Sequence, residues 1–172
     1  MKIESAIYNF ISPQDKEFLE ILKNKKFKNL DIFLVGGAIR DILLNIVPQE
    51  LDFCINGEIS EFKEFINENQ KLKIIKVSEF ETYKILFKEK MYDFSVTRKE
   101  SYFPKGSLPK INAFNVDIET DLKRRDFTIN SIAMNIKQDL DELIDPYNGI
   151  NDLKNKIIKI IHSESFKDDP TR

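Results

Sequence analysis

Two carboxylates, Glu50 and Asp52, stand one residue apart at the head of the apolar stretch 51–55. Along a strand, residues i and i+2 point to the same face, so this spacing sets both acids side by side. Such a pair suits Mg²⁺, which takes carboxylates together with substrate phosphates. In a two-metal site it would position an attacking hydroxyl and a leaving oxygen. The competing reading is a solvated strand end that binds nothing. Cys54 shares the face by alternation and is expected to pack rather than react.

Gly36 and Gly37 lie upstream, between the apolar run 31–35 and a helical pattern that carries Arg40 one turn in. Neither Gly-Lys-Ser/Thr nor a third glycine follows, which excludes a Walker A loop and a dinucleotide fingerprint. Two readings stay open. The pair either makes a tight strand-to-helix turn through glycine's conformational freedom, or it cradles an anion. A helix start offers unpaired N–H groups and partial positive charge, and missing side chains let a phosphate reach the backbone. Arg40 would add an always-charged guanidinium on that side.

Composition narrows the chemistry. The 172 residues hold one cysteine and one histidine, His162, so a disulfide framework, a cysteine-rich zinc site and Ser-His-Asp or Cys-His catalysis are all unpromising. Any enzyme chemistry must come from carboxylates, arginines and backbone. With a formal net charge of −2 and a pI near 5.6, nucleic-acid contact must be local or supplied by another part of the molecule. There is no apolar run of roughly 18 residues to span a membrane, and the start MKIESAIYNF lacks the pattern of a signal peptide. Lone-cysteine usage fits a reducing cytoplasm.

The elements that must position these residues read as follows. Helical spacing covers 13–26, with Phe18, Leu19 and Leu22 on one face after Pro13. A strand at 31–35 turns into a helix over 36–45, and a second strand covers 51–55. Phe62, Phe65 and Ile66 stripe a helix over 60–69. Strands follow at 72–77, 82–88 and 91–96. Residues 99–121, polar with Pro104, Gly106 and Pro109, read as a long exposed loop. A helix is expected at 127–135, then strand pieces near Leu143 and at 156–161. This pattern predicts an α/β (α+β) domain, one mixed sheet of about five strands flanked by helices.

The stretches LVGGAIRD, ELDF, LKRRDFTINSIAMN, LIDPYNGINDLKNKII and DDPTR occur in that order over 33–172. Together they resemble the head domain of the class II tRNA nucleotidyltransferases and bacterial poly(A) polymerases, within the DNA polymerase β superfamily. The resemblance implies a head over 1–160 and the start of a helical neck over 161–172. It implies that Gly36, Gly37 and Arg40 contact the triphosphate of an incoming nucleotide. Glu50 and Asp52 fall on the family's metal-binding Asp-x-Asp. Asp93 falls where a third acid orients or deprotonates the primer hydroxyl; its plainer reading is an exposed strand acid. Arg124 and Arg125 match the Arg-Arg-Asp motif that contacts sugar and phosphate. Asp126 would share that role or cap the helix expected from Phe127. The DPYNG segment resembles a structural turn through Pro146 and Gly149. Asp169 and Arg172 match a pair that hydrogen-bonds the incoming base.

The implied reaction is Mg²⁺-dependent attack of a tRNA 3′ hydroxyl on the α-phosphate of ATP or CTP, adding AMP or CMP without a nucleic-acid template and releasing pyrophosphate. Poly(A) synthesis shares all these head motifs, with discrimination expected from the neck and from a loop at about 103–116. A nucleotide-binding but inactive or regulatory subunit is the alternative from another class. Two departures bear on it. The first acid is Glu50 where the family has aspartate, and the chain stops at Arg172 inside the base-reading segment. The second departure suggests a truncated head, or one completed by a separately encoded RNA-binding partner chain.

Overall fold

The computed structural model describes residues 3–23, 27, 29–78, 80–137 and 142–172. Its elements run α1 (Ile3–Phe10), α2 (Pro13–Leu22), β1 (Leu30–Val35), α3 (Gly37–Leu43), β2 (Asp52–Gly57) and α4 (Ile59–Glu68). A meander of β3 (Leu72–Val77), β4 (Thr82–Phe87) and β5 (Lys90–Val96) follows, then a hairpin of β6 (Arg98–Ser101) and β7 (Lys110–Phe114). The remainder holds α5 (Ile118–Lys123), a 3-10 turn at Thr128–Asn130, β8 (Ala133–Asn135), α6 (Gly149–Lys154) and α7 (Ser165–Asp168). The main sheet has six strands in the order β3-β4-β5-β2-β1-β8, with β2 and β5 parallel and the other neighbours antiparallel. The expectation of one mixed sheet flanked by helices is met, with β8 as the additional strand.

Alternation divides this sheet into two faces with different uses. Phe53 and Ile55 of β2, Tyr83 and Ile85 of β4, and Tyr92 and Phe94 of β5 point into the main core. There Phe53 and Phe94 stack with centroids 4.7 Å apart, and Phe18 of α2 stacks on Tyr92 at 3.8 Å. Phe62 of α4 closes on Phe94 from the same side. Asp52 and Cys54, Asp93 and Lys84 therefore belong to the opposite face. That face has a smaller core of its own, in which Cys54 packs with Phe33, Val35 and Ala133 beneath Ile118 and Leu122 of α5.

α2 is fastened to β5 as well as packed on it. Ser12 caps the helix by accepting from the Asp15 amide at 3.1 Å, and buried Asp15 accepts from Tyr92 Oη at 2.7 Å and Lys90 Nζ at 2.8 Å. The helix ends at Leu22, short of the expected 26; residues 24–26 lie outside the described residues.

Three sequence expectations are corrected. Residues 99–121 are not one loop but the β6–β7 hairpin and most of α5. The hairpin lies outside the main sheet, so neither strand acquires the apolar alternation by which strands are recognised. The expected helix at 127–135 is a single 3-10 turn followed by β8, which pairs with β1 through Ala133↔Val35 and Met134↔Leu34. Both faces of that strand are covered, which removes the alternation and leaves an apolar run that also fits a helix. The strand pieces near Leu143 and at 156–161 reduce to isolated bridges, Ala133↔Ile144 and Phe127↔Ile160. The DPYNG segment is a turn: Asp145 accepts from the amides of Gly149 and Ile150 at 2.7 and 2.9 Å. Gly149 is required because a Cβ there would sit 2.1 Å from the Thr128 carbonyl oxygen. Among the described residues, no helix is long and apolar enough to cross a membrane.

Candidate active site

The parallel pairing of β2 with β5 sets Asp52 directly opposite Asp93, and Cys54 opposite Ser95. Both aspartates line a cleft of about 390 Å³, with Arg124 and Arg125 from the end of α5 on its other side. Burial pushes the Asp52 carboxyl above its ordinary pKa, and the charges of Asp93 and Glu50 push it further in the same direction. Lys84, opposite Asp93 on β4, spans both Asp93 oxygens at 2.6 and 2.8 Å.

Glu50 occupies a different position from the one its spacing suggests. β2 begins at Asp52, and Glu50 is exposed in the segment before it, so the two acids do not share a strand. The alternation argument fails there because the pleat does not extend that far. Its charge nonetheless reaches Asp52. Among the described residues, no cluster of three or more histidine, cysteine or acidic side chains is close enough to hold a metal ion. The donor chemistry still suits a hard divalent cation: two facing carboxylates, one of them destabilised by its neighbours' negative charge.

Gly36 is where the turn and the arginines meet. Its φ of +74° with ψ of −140° is open to glycine and strained for other residues. A Cβ on Gly36 would lie 3.3 Å from Nη1 of Arg125. That guanidinium also reaches Cys54 Sγ and Asp121 Oδ2, each at 3.3 Å through Nη2, while its buried Nε has no hydrogen-bond partner among the described residues. Gly37 starts α3. Arg40 folds back over it and is held by Asp41 Oδ1 at 2.7 and 2.9 Å and by Asn130 Oδ1 at 2.8 Å. Asn130 in turn donates to Asp126, at 3.1 Å for the nearer oxygen, and Asp126 accepts from the Phe127 amide at 2.7 Å. Asp126 thus braces the 3-10 turn rather than capping a helix.

Arg124 borders this cleft and the one beside it, which Arg172 and Tyr102 also line. Arg172 is only 6% exposed in its side chain. It donates to the main-chain carbonyls of Arg124 at 2.7 Å and Arg125 at 3.1 Å, and to Ser165 Oγ at 2.6 Å. Asp169 accepts from Thr171 and lies 3.8 Å from the Arg172 guanidinium. Asp126, Asp169 and Arg172 share a shallow third depression with Arg124. The structure thus gathers Asp52, Asp93, Arg124 and Arg125 into one cleft, sets Gly36 against Arg125, and keeps Arg40 and the Asp169–Arg172 pair apart from it.

Three residues escaped the sequence reading. Lys84 alternates with Tyr83 and Ile85 and becomes visible once β4 is registered against β5. Glu100 pairs with Arg98 at 2.7 Å and Arg124 at 3.5 Å. Asp121 precedes Arg124 and Arg125 by three and four residues, the helical ion-pair spacing, which an assignment of 99–121 to loop conceals.

The sequence model of the poly(A) polymerase head domain matches residues 32–159. This chain belongs to that family. It is 34% identical over 144 residues to the A-adding tRNA nucleotidyltransferase of Aquifex aeolicus, covering 83% of this chain and 17% of that protein. It is 37% identical over 145 residues to the A-adding tRNA nucleotidyltransferase of Halalkalibacterium halodurans, covering 83% of this chain and 34% of that protein. A solved CCA-adding enzyme in an apo form superposes on all of this chain with a TM-score of 0.86 at 30% identity, over 41% of its own length. A CCA-adding enzyme in complex with ATP gives 0.80 at 29% identity, over 38% of its length. The head of this family therefore occupies well under half of each of these relatives. In them the remainder is part of the same chain, so a separately encoded partner gains no support.

Proposed function

We propose that this head transfers AMP or CMP from ATP or CTP to the 3′ hydroxyl of a tRNA, releasing pyrophosphate. The reading is carried by one observation: Asp52 faces Asp93 across a parallel strand pair, with two guanidiniums over the same cleft. The names of the similar proteins, A-adding and CCA-adding, and the solved complex with ATP support it.

On this reading Asp52 and Asp93, with Glu50 at the rim, would hold Mg²⁺. The ion would lower the pKa of the attacking hydroxyl and offset charge on the leaving pyrophosphate. Asp93 orients the primer hydroxyl, and Lys84 keeps that carboxylate in place by spanning its two oxygens. Arg125 and Arg124 take the negative charge of the phosphates and the sugar edge in fork geometry. The α3 start and Arg40 contribute to holding the triphosphate. Asp126 braces the turn behind it. For Arg172 and Asp169 to read the base, Arg172 must leave the carbonyls of Arg124 and Arg125. The protein's part is positioning and electrostatics, with no covalent intermediate. A tRNA substrate and a lone buried cysteine fit a cytoplasmic setting.

Incubating the native protein with tRNA lacking its 3′ terminus and each labelled nucleoside triphosphate tests this. Label from ATP or CTP should enter the tRNA, and the composition of the added segment separates CCA, A-only and poly(A) synthesis. Incorporation from none of the four would overturn the reading. One observation favours a second reading, a head that binds nucleotide without transferring it: Glu50 stands outside β2 where the family pattern has an aspartate. That reading expects an inert parent and an active Glu50→Asp.

A further inference from the structure

Asp121 is completely buried, on the inner side of α5, and touches no open part of the cleft. Each of its oxygens is nonetheless committed. Oδ1 accepts from the Arg98 amide and from Arg124 Nε, both at 3.0 Å. Oδ2 accepts from Arg125 Nη2 at 3.3 Å and from Cys54 Sγ at 3.6 Å. Burial opposes its charge, but Arg124 and Arg125 outweigh that and hold the carboxyl below its ordinary pKa. One ionised carboxylate beneath the cleft thus fixes two guanidiniums that open into it. The two differ in what else holds them. Arg124 has a second acid, Glu100, at 3.5 Å, whereas among the described residues the Arg125 guanidinium is hydrogen-bonded to Asp121 and the Cys54 thiol and feels the charge of Asp52.

We infer that Asp121 is a positioning residue for nucleotide binding, acting through Arg125. A free arginine side chain loses rotamer entropy when it is fixed. Asp121 prepays that ordering, so a triphosphate meets a guanidinium already held beside Gly36 in the lining of the cleft, which is the general benefit of preorganisation. The inference rests on the reading of this cleft as a nucleotide site, but it can be decided by binding alone, without turnover.

The test is a double-mutant cycle on ATP affinity, measured by calorimetry in the presence of Mg²⁺. The variants are Asp121→Asn, Arg125→Met and the pair together, each checked by near-ultraviolet circular dichroism. Asp121→Asn should weaken ATP binding about tenfold in the parent and no more than about threefold when Arg125 is already methionine. A tenfold loss in both backgrounds, or none in either, would overturn the inference, because a merely structural acid costs the same whether or not Arg125 is present. Asp121→Asn leaves two buried cations short of a partner and is the variant at risk of misfolding. In that event Asp121→Glu, which keeps the charge and displaces it by one methylene, replaces Asp121→Asn in the same cycle: a loss of affinity confined to the protein that retains Arg125 supports the inference, and an equal loss in both backgrounds, or none in either, refutes it. If every protein binds ATP as expected but the parent transfers no nucleotide to tRNA, the proposed function fails while the positioning role stands.

Discussion

Asp52 carries the electrostatic tension of the cleft. Its raised pKa comes first from burial and then from Asp93 and Glu50. An acid whose pKa is raised on folding contributes its stability below its unfolded value and loses it as the pH climbs through the folded one. The metal-free protein should therefore be stabilised at pH 7 by Asp52→Asn, and the difference should shrink as the pH falls through the raised, folded value and be gone below about pH 3.8, the group's ordinary value. Thermal unfolding in chelator, followed across pH, checks this. Added Mg²⁺ should raise the melting temperature of the parent and not of the variant, since only the parent keeps the ligand. Gly36 makes the second prediction. Gly36→Ala combines a glycine-type backbone with a Cβ at 3.3 Å from Arg125 Nη1. It should cost roughly 1–3 kcal/mol of stability and weaken ATP binding, read by denaturant melts and calorimetry together.

Among the elements, β2 and β5 set the site and α2 fixes β5. Asp15 joins them, accepting from Tyr92 and Lys90 at 2.7 and 2.8 Å beside the Phe18–Tyr92 stack. Burial opposes its charge, but its hydrogen bonds from Lys90, Tyr92 and Ser12 lower its pKa on balance. Its contribution is thus complete above about pH 3.8 and lost as the pH falls through the lower, folded value. Asp15→Ala should cost about 1–3 kcal/mol at pH 7, because Tyr92 Oη stays buried without its acceptor. The difference from the parent should narrow as the pH falls through that lower, folded value. At this scale the sequence was legible wherever one face of an element is wet. Alternation in β4 and β5, and the stripe of Phe62, Phe65 and Ile66 in α4, read directly as a strand pair and a helix. It misled at β8, a three-residue strand covered on both faces whose apolar run also fits a helix, and at the β6–β7 hairpin, which stays small and polar. The site divides in the same way. Asp93 and Arg125 could be picked out by residue type and motif. Their partners Lys84 and Asp121 depend on cross-strand register and on a helix hidden in a polar stretch.

For the molecule as a whole, charge and reach bear on the same question. The formal net charge of −2 gives this chain little with which to neutralise an RNA backbone. Alone it should hold tRNA weakly, with a shallow dependence on salt, because each phosphate contact contributes to that slope. A filter-binding series across ionic strength reads this, and tight, steeply salt-dependent binding would show a basic surface the present account lacks. The proposed nucleotide transfer depends on one cleft, lined by Asp52, Asp93, Arg124 and Arg125. Its most direct measurement is single-turnover incorporation of labelled AMP or CMP at saturating tRNA, comparing the parent with Asp52→Ala. Because Asp52 is a half-buried acid at a strand end, the variant should keep its fold by circular dichroism and lose at least about a hundredfold in rate, roughly 2.7 kcal/mol of transition-state stabilisation. A folded Asp52→Ala protein that transfers nucleotide at more than a few per cent of the parental rate would contradict the account.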